Sequence, residues 1–291
     1  MRPEQVLERL GGVADTATLL THVTRPSLRA ATRSGLVIRL ERGRYALPGA
    51  DEALACAHRL SGLLCEDSAA QLYGWPLKHR PSSPVVVVPR KRNLPEHRRR
   101  GVRVRFVDLP AEDVNRVATS PVRTVLDCCA RMPFDEALAV ADSALRSLDV
   151  SSEHLLRRAA AVPVRHRARC MRVALAADAR AANPFESVLR AIALQVPDLS
   201  VEPQVWIGDV GRPDLVDERL RIVLEADSFE FHGRRQALAD DCERYNAFVV
   251  DGWIVLRFAW EHVMFRPDYV RTTLVGAVEQ ALARSRRPGA A

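Results

Sequence analysis

Arg212-Pro-Asp-Leu-Val-Asp-Glu-Arg-Leu-Arg-Ile-Val-Leu-Glu-Ala-Asp227 is two apolar runs on either side of a polar Asp217-Glu218-Arg219 turn, the pattern of an antiparallel β-hairpin. Side chains alternate across a strand, so Val223, Glu225 and Asp227 share one face, with Glu225 and Asp227 about 7 Å apart along it. The pairing sets Asp214 roughly opposite Val223 and Leu224. Three acids then converge on one small volume, where like charges do not all stay ionised without a proton or a cation. A hard divalent ion, Mg²⁺ or Mn²⁺, is the simplest resolution, with Asp214 and Glu225 as direct ligands. Downstream, a helix carries Arg244 and Asn246, and Gly252-Trp-Ile-Val-Leu-Arg-Phe-Ala-Trp260 reads as a third, central strand, its bulky residues fitting a buried core better than a surface for stacking bases.

Upstream, Asn183-Pro-Phe-Glu186 opens a helix with Asn as N-cap, Pro at the first position and Glu at the third, a capping box. Glu186 is thus either a cap or a further member of the acid cluster. His232, whose ordinary pKa of about 6.5 suits proton transfer, is either the general base of the site or a surface histidine. Arg244 either reaches a phosphate or pairs with Asp240 one turn earlier.

The front of the chain reads differently. Residues 3–10 form a short amphipathic helix stopped by Gly11-Gly12, and a second helix follows near Thr16–His22. After Thr24 as N-cap, Arg25-Pro-Ser-Leu-Arg-Ala-Ala-Thr-Arg-Ser34 is a third, closed by Gly35. Leu36–Glu41 and Tyr45–Pro48 then form a hairpin. Three small helices and a hairpin is the winged helix-turn-helix order, in which Arg25, Arg29 and Arg33 face the major groove and Arg42 and Arg44 at the wing touch backbone phosphate. Residues 51–160 alternate helices with two strands, 84–89 and 102–108, around a basic loop. Residues 161–182 are a basic, alanine-rich helical linker, and 183–291 form the rear domain.

The 291 residues carry a net +7, unevenly spread. Residues 184–291 hold 13 arginines against 17 acids, a net of −4, leaving +11 on the first 183. A basic front fits a nucleic-acid partner, and an acidic rear fits a cation site. No apolar run reaches the roughly 18 residues of a membrane span, and Met1–Leu10 lacks the apolar core of a secretion signal, so a cytoplasmic protein is expected. Six cysteines without Cys-x-x-Cys spacing predict scattered reduced thiols and no zinc.

Two resemblances sharpen this. Pro213-Asp214 and Glu225-Ala-Asp227, followed by Phe229-Glu-Phe-His232-Gly233, Arg244-Tyr-Asn246 and Gly252–Glu261, resemble the PD-(D/E)XK nuclease superfamily, and within it the uncharacterised bacterial family related to the very-short-patch repair mismatch endonuclease. The resemblance implies an α/β restriction-endonuclease-like rear domain with a mixed sheet and metal-dependent cleavage of DNA in repair or phage defence. Asp227 stands where that superfamily places its water-orienting lysine, and the chain's only lysines are Lys78 and Lys91, so a fold that has lost activity is the competing reading. The segment Gly35-Leu-Val-Ile-Arg-Leu-Glu-Arg-Gly-Arg-Tyr-Ala-Leu-Pro48 resembles the N-terminal domain of AbiEi-type antitoxins of type IV toxin–antitoxin systems, which implies an α+β front of winged helix and mixed connecting region, double-stranded DNA as partner and a cognate toxin. Two functions therefore compete: a metal-dependent DNA endonuclease targeted by its own winged helix, and a non-catalytic antitoxin-type transcriptional regulator with a degenerate nuclease fold.

Overall fold

A computed structural model describes residues 1–227 and 235–285. It is a mixed α/β structure with three sheets, and the chain packs as two units: Met1–Gly74 with Arg80–Asp127, and Trp75–His79 with Cys128–Ala291. Among the described residues no helix is long and apolar enough to cross a membrane.

The first unit opens with α1 (Pro3–Arg9), β1 (Val13–Asp15), α2 (Thr16–Leu20), α3 (Arg25–Arg33), β2 (Ile38–Glu41) and β3 (Arg44–Ala46). Thr24 caps α3 as expected, its Oγ1 accepting from the Ser27 amide at 3.4 Å. Leu28 and Ala31 of α3 pack with Val6, Leu7, Leu19 and Val37 in a small core. The expected hairpin forms, but it gains a third strand, because β1 pairs with β3 through Val13↔Ala46 and Asp15↔Arg44. Three residues are too few for a period-2 pattern to announce a strand.

The unit continues through α4 (Glu52–Arg59), β4 (Leu63–Leu64), α5 (Glu66–Leu72), β5 (Val85–Val88), α6 (Glu96–Arg99), β6 (Arg103–Phe106), β7 (Val114–Asn115) and β8 (Ala118–Thr119). Their sheet has the order β6-β5-β4-β8-β7. All four valines of β5 are buried, as an apolar run in an interior strand must be. Leu63 and Leu64 lie in β4 against Val86 and Val87, a strand outside the two expected in this region. The arginines of β6 are held by acids of α5: Arg103 Nη2 lies 2.6 Å from Asp67 Oδ2 and Arg105 Nε 2.6 Å from Glu66 Oε1. Helix α7 (Pro121–Arg131) follows, and in its first-unit part Arg123 bridges Asp113 and Asp127, each at 2.9 Å.

The second unit holds α8 (Phe134–Arg146), α9 (Ser152–Ala161), α10 (Val164–Ala176), α11 (Pro184–Ala193), β9 (Glu202–Pro203), β10 (Leu215–Asp217), β11 (Ile222–Asp227), α12 (Arg235–Val250), β12 (Ile254–Ala259), α13 (Trp260–Phe265) and α14 (Pro267–Ser285). Trp75 and Lys78 belong here through Trp75 Nε1 donating to Asp149 Oδ2 at 2.7 Å and a 2.5 Å pair between Lys78 and Asp135. Helices α8 and α11 pack together around one charge pair: Arg190 Nη2 donates to both oxygens of Asp142 at 2.7 Å, and the side chains are 4% and 0% exposed. The Asp178 amide adds a third bond to Asp142 at 2.8 Å. Burial still holds the Asp142 carboxyl above its ordinary value, despite the guanidinium and these bonds.

The second unit's sheet has the order β12-β11-β10-β9 and is mixed: β11 and β12 run parallel, the other neighbours antiparallel. Leu215, Ile222, Leu224 and Phe258 face one core with residues of α11, α13 and α14. Val216 and Val223 face a second with Tyr245 and Phe248 of α12. Covered on both sides, the sheet carries Asp214, Glu225 and Asp227 together at one end. Two expectations are corrected. The hairpin register pairs Leu215 with Leu224, which puts Asp214 beside Glu225, because Asp217 is no turn residue: it is 1% exposed and its oxygens accept from the amides of Ser200 and Leu220, each at 2.8 Å. The third strand ends the sheet order rather than lying centrally, and while Phe258 is buried, Trp260 has passed into α13 and is 40% exposed.

Candidate functional site

Glu186, Asp214 and Glu225 meet at the end of the second unit's sheet. Asp214 enters from the bend before β10, Glu225 from the second half of β11, and Glu186 from the first turn of α11. Asn183 caps α11, its Oδ1 accepting from the Glu186 amide at 3.0 Å. The Glu186 carboxylate accepts from the Ala182 amide and from Asn183 Nδ2, both at 2.8 Å, so it serves the helix start. It serves the acids as well, because one residue links them. Gln204 Nε2 donates to Glu186 Oε2 at 3.1 Å and to Asp214 Oδ1 at 3.2 Å. The other Asp214 oxygen takes the Ala226 amide at 2.8 Å.

Glu186 and Glu225 are 4% and 5% exposed, and their acidities reflect it. Burial, reinforced by the neighbouring Asp214 charge, pushes Glu186 up to about 7. Burial and Asp214 also push Glu225 up to about 8. Burial raises Asp214 as well, against the Ala226 amide and a hydrogen bond from Glu225. Both shifts run upward, the direction expected of two carboxyls that compete to ionise in one dry space.

Positive charge arrives from two arginines. Arg244 of α12 places Nη2 3.7 Å from Glu225 Oε1, an oxygen that has no hydrogen-bond partner. The same nitrogen reaches Asp241, an intrahelical partner three residues earlier, at 3.1 Å. Arg257 of β12 stands opposite Glu225 in the parallel register and donates Nε to Asp227 Oδ2 at 2.6 Å. Its guanidinium also lies 4.0 Å from the ring centre of Tyr245, whose phenol burial pushes up. Asp227 is thus engaged by Arg257 rather than aimed at Asp214. Asn246, two positions beyond Arg244 and so turned to another side of the helix, is exposed. His232 lies outside the described residues.

Gln204 and Arg257 are the members that the sequence reading missed. Gln204 stands ten residues before Asp214 with a left-handed backbone, φ 57°, and no spacing rule marks it. Arg257 could have been found from the parallel pairing, since an arginine in an otherwise apolar strand must meet an acid or water. The donor chemistry, three carboxylates with a neutral amide, fits a hard cation. Among the described residues, however, no three His, Cys, Asp or Glu side chains are already grouped to hold a metal ion.

The front arginines make a second cluster. Arg25, Arg29 and Arg33 are all exposed on α3, and Arg42 is exposed at the β2–β3 turn. Arg44 is half-buried and pairs with Asp15 at 3.7 Å. None of the six cysteines is joined in a disulfide among the described residues.

Comparison with known proteins adds one family and two relatives. Residues 60–175 match the AbiEi antitoxin C-terminal domain family, the stretch from β4 through α10. The uncharacterised protein Rv2248 of Mycobacterium tuberculosis strain H37Rv is 26% identical over 281 residues, covering 92% of this chain and 100% of its own, and its counterpart MT2308 in strain CDC 1551 matches to the same extent. The crystal structure of the Rv2827c protein from Mycobacterium tuberculosis aligns with 65% of this chain and 79% of its own at 17% identity and a TM-score of 0.36. The family is one of antitoxins, and none of these names carries a nuclease activity.

Proposed function

We propose that this chain is a DNA-binding regulator of the antitoxin type, its first fifty residues acting as a winged helix. The observation that carries the reading is the row Arg25, Arg29 and Arg33. Spaced at four residues, they line one exposed stripe of α3, while Leu28 and Ala31 turn the other side into the core. Arg42 extends the row from the hairpin turn. A helix inserted in the major groove with a basic hairpin on the backbone uses cations in that arrangement. The match of residues 60–175 to an antitoxin domain supports a cognate toxin as the protein partner. The test is binding of the full chain to duplex DNA from its own promoter region across a salt series. Replacing Arg29 and Arg33 with Ala should weaken binding and lower the salt slope by about 2. Unchanged affinity and slope would remove α3 from the interface.

A second reading attaches to the acid cluster, favoured by the raised pKa values of Glu186 and Glu225 around Asp214. In this reading Asp214 and Glu225 hold Mg²⁺ or Mn²⁺, with Glu186 and Gln204 beside them, in a restriction-endonuclease-like rear domain. A bound ion there lowers the pKa of a water and offsets charge on a phosphodiester. Arg244 and Arg257 stand in for the superfamily's lysine as the local positive charge, Asp227 holds Arg257, and His232 is the candidate base. Calorimetric titration of Mn²⁺ into the full chain should show one site that Asp214→Asn abolishes, and plasmid cleavage should require the ion. No heat and no cleavage with either cation would leave the regulator reading alone.

A further inference from the structure

A cavity of about 230 Å³ lies in the first unit, lined by Arg44, His58, Ser61 and Arg116 and walled by Leu54 and Leu63. Three separate parts of the chain contribute its cations: the first residue of β3, the last turn of α4 and the turn between β7 and β8. No carboxylate lines it. The acid beside it, Asp15, is already engaged, capping α2 through the Thr18 amide at 2.8 Å and pairing with Arg44 at 3.7 Å.

Two features make this more than a gap between arginines. His58 bonds to the Ala14 backbone, and burial, with Arg44 nearby, lowers its pKa. Its Nε2 is buried without a hydrogen-bond partner. An unpaired buried ring nitrogen costs free energy of about 1–3 kcal/mol, and the ring that carries it forms part of the cavity wall. Arg116, exposed at the rim, takes φ 50°, a left-handed conformation at a hairpin turn where Gly or Asn is the ordinary choice. Arginine there carries a small backbone cost and sets a guanidinium at the mouth of a space that already holds Arg44 and His58.

We propose that this cavity is a binding site for a phosphate group, held by Arg44, His58 and Arg116. Guanidinium forks match tetrahedral oxyanions. A volume below the roughly 300 Å³ of an ordinary small-molecule pocket admits a phosphate with a short stem rather than a whole nucleotide. The group comes either from a free phosphate monoester or from the backbone of bound DNA, and Arg44 belongs to the hairpin that the regulator reading lays on DNA. The site itself does not depend on that reading, since it is built from pocket residues that α3 does not touch.

The experiment uses the full chain at low ionic strength. Inorganic phosphate is titrated while the side-chain ¹H–¹⁵N signals of the histidines are followed, with chloride at matched ionic strength as the control. Saturable movement of the His58 signal by phosphate and not by chloride is expected. Arg116→Gln should weaken it at least tenfold, about 1.4 kcal/mol, and Arg116→Lys should restore part of it. Arg116 is exposed, so neither variant endangers folding. Duplex binding by the same variants identifies the source. If Arg116→Gln leaves DNA affinity unchanged in phosphate-free buffer, the ligand is a free phosphate. If it lowers both the affinity and the salt slope by about one contact, the phosphate is that of DNA. A His58 signal that moves with neither phosphate nor DNA, or moves equally in wild type and Arg116→Gln, overturns the proposal.

Discussion

Substituting Glu186 by glutamine should make the protein more stable at pH 8 and less so at pH 5, relative to wild type. In the folded chain Glu186 sits at about 7 against an ordinary 4.5. Between those values the folded form keeps a proton that the unfolded chain has released. Stability contributed by this carboxyl is therefore fully present below about pH 4.5 and lost as pH rises toward 7, since unfolding becomes more favourable wherever the folded state binds more protons. A rise of about 2.5 units at 1.36 kcal/mol each is about 3 kcal/mol. The neutral amide never ionises, so the difference between wild type and Glu186→Gln should drift by about that amount from pH 5 to pH 8. Glutamine still loses one acceptor for Ala182 or Asn183, at about 1 kcal/mol, which leaves a net gain of about 2 kcal/mol at pH 8. Taking the difference removes the opposite contribution of His58, whose lowered value adds stability as pH rises. Urea unfolding at four pH values measures it. A difference that stays constant across the range, or a variant less stable than wild type at pH 8, refutes the argument that burial and Asp214 keep Glu186 protonated.

Two other substitutions test the packing that holds the site. Replacing Arg190 by Met leaves Asp142 buried beside α11 without its guanidinium and should cost about 3–5 kcal/mol, whereas Asp142→Leu with Arg190→Met should recover much of it; urea titration of the single and double variants gives both numbers. Gly62→Ala should lower the melting temperature, because the added Cβ would lie 2.5 Å from Val86 Cγ1 and 2.6 Å from the Val87 carbonyl, and a strand backbone does not yield as a flexible side chain does, making a cost of about 1–3 kcal/mol the expectation.

What could be read before the structure was what local chemistry dictates. Thr24 and Asn183 both cap the helices predicted for them, because a side-chain oxygen three residues before an orphan amide acts through short range alone. The hairpin at Ile222–Asp227 was legible for the same reason. Its register was not, since Asp217 looks like a turn residue in sequence and is fixed instead by the amide of Ser200, seventeen positions away. The short strands β1 and β4 exist only through distant partners, Arg44–Ala46 and Val86–Val87. The candidate site followed this division. Asp214 and Glu225 were found from their own neighbours, Glu186 was left between two roles and fills both, and Gln204 and Arg257 were missed because their partners come from other segments. The antitoxin likeness rests on a motif in the first fifty residues, with residues 51–160 read as the connecting region of such proteins, and the family match falls on residues 60–175, where small helices and a sheet carry no catalytic residue pattern.

Gln204 has a consequence for how any ion would reach the acids. A single amide nitrogen bonds both Glu186 and Asp214, so the cluster at rest is bridged by a neutral donor, and burial raises Asp214 and Glu225 above their ordinary values beside it. A cation entering here exchanges places with that hydrogen-bonding arrangement instead of filling a ready space. An ion held by these oxygens would displace the amide and any proton they carry, so the apparent heat of binding would change with the ionisation enthalpy of the buffer, and the slope of that dependence would count the protons released.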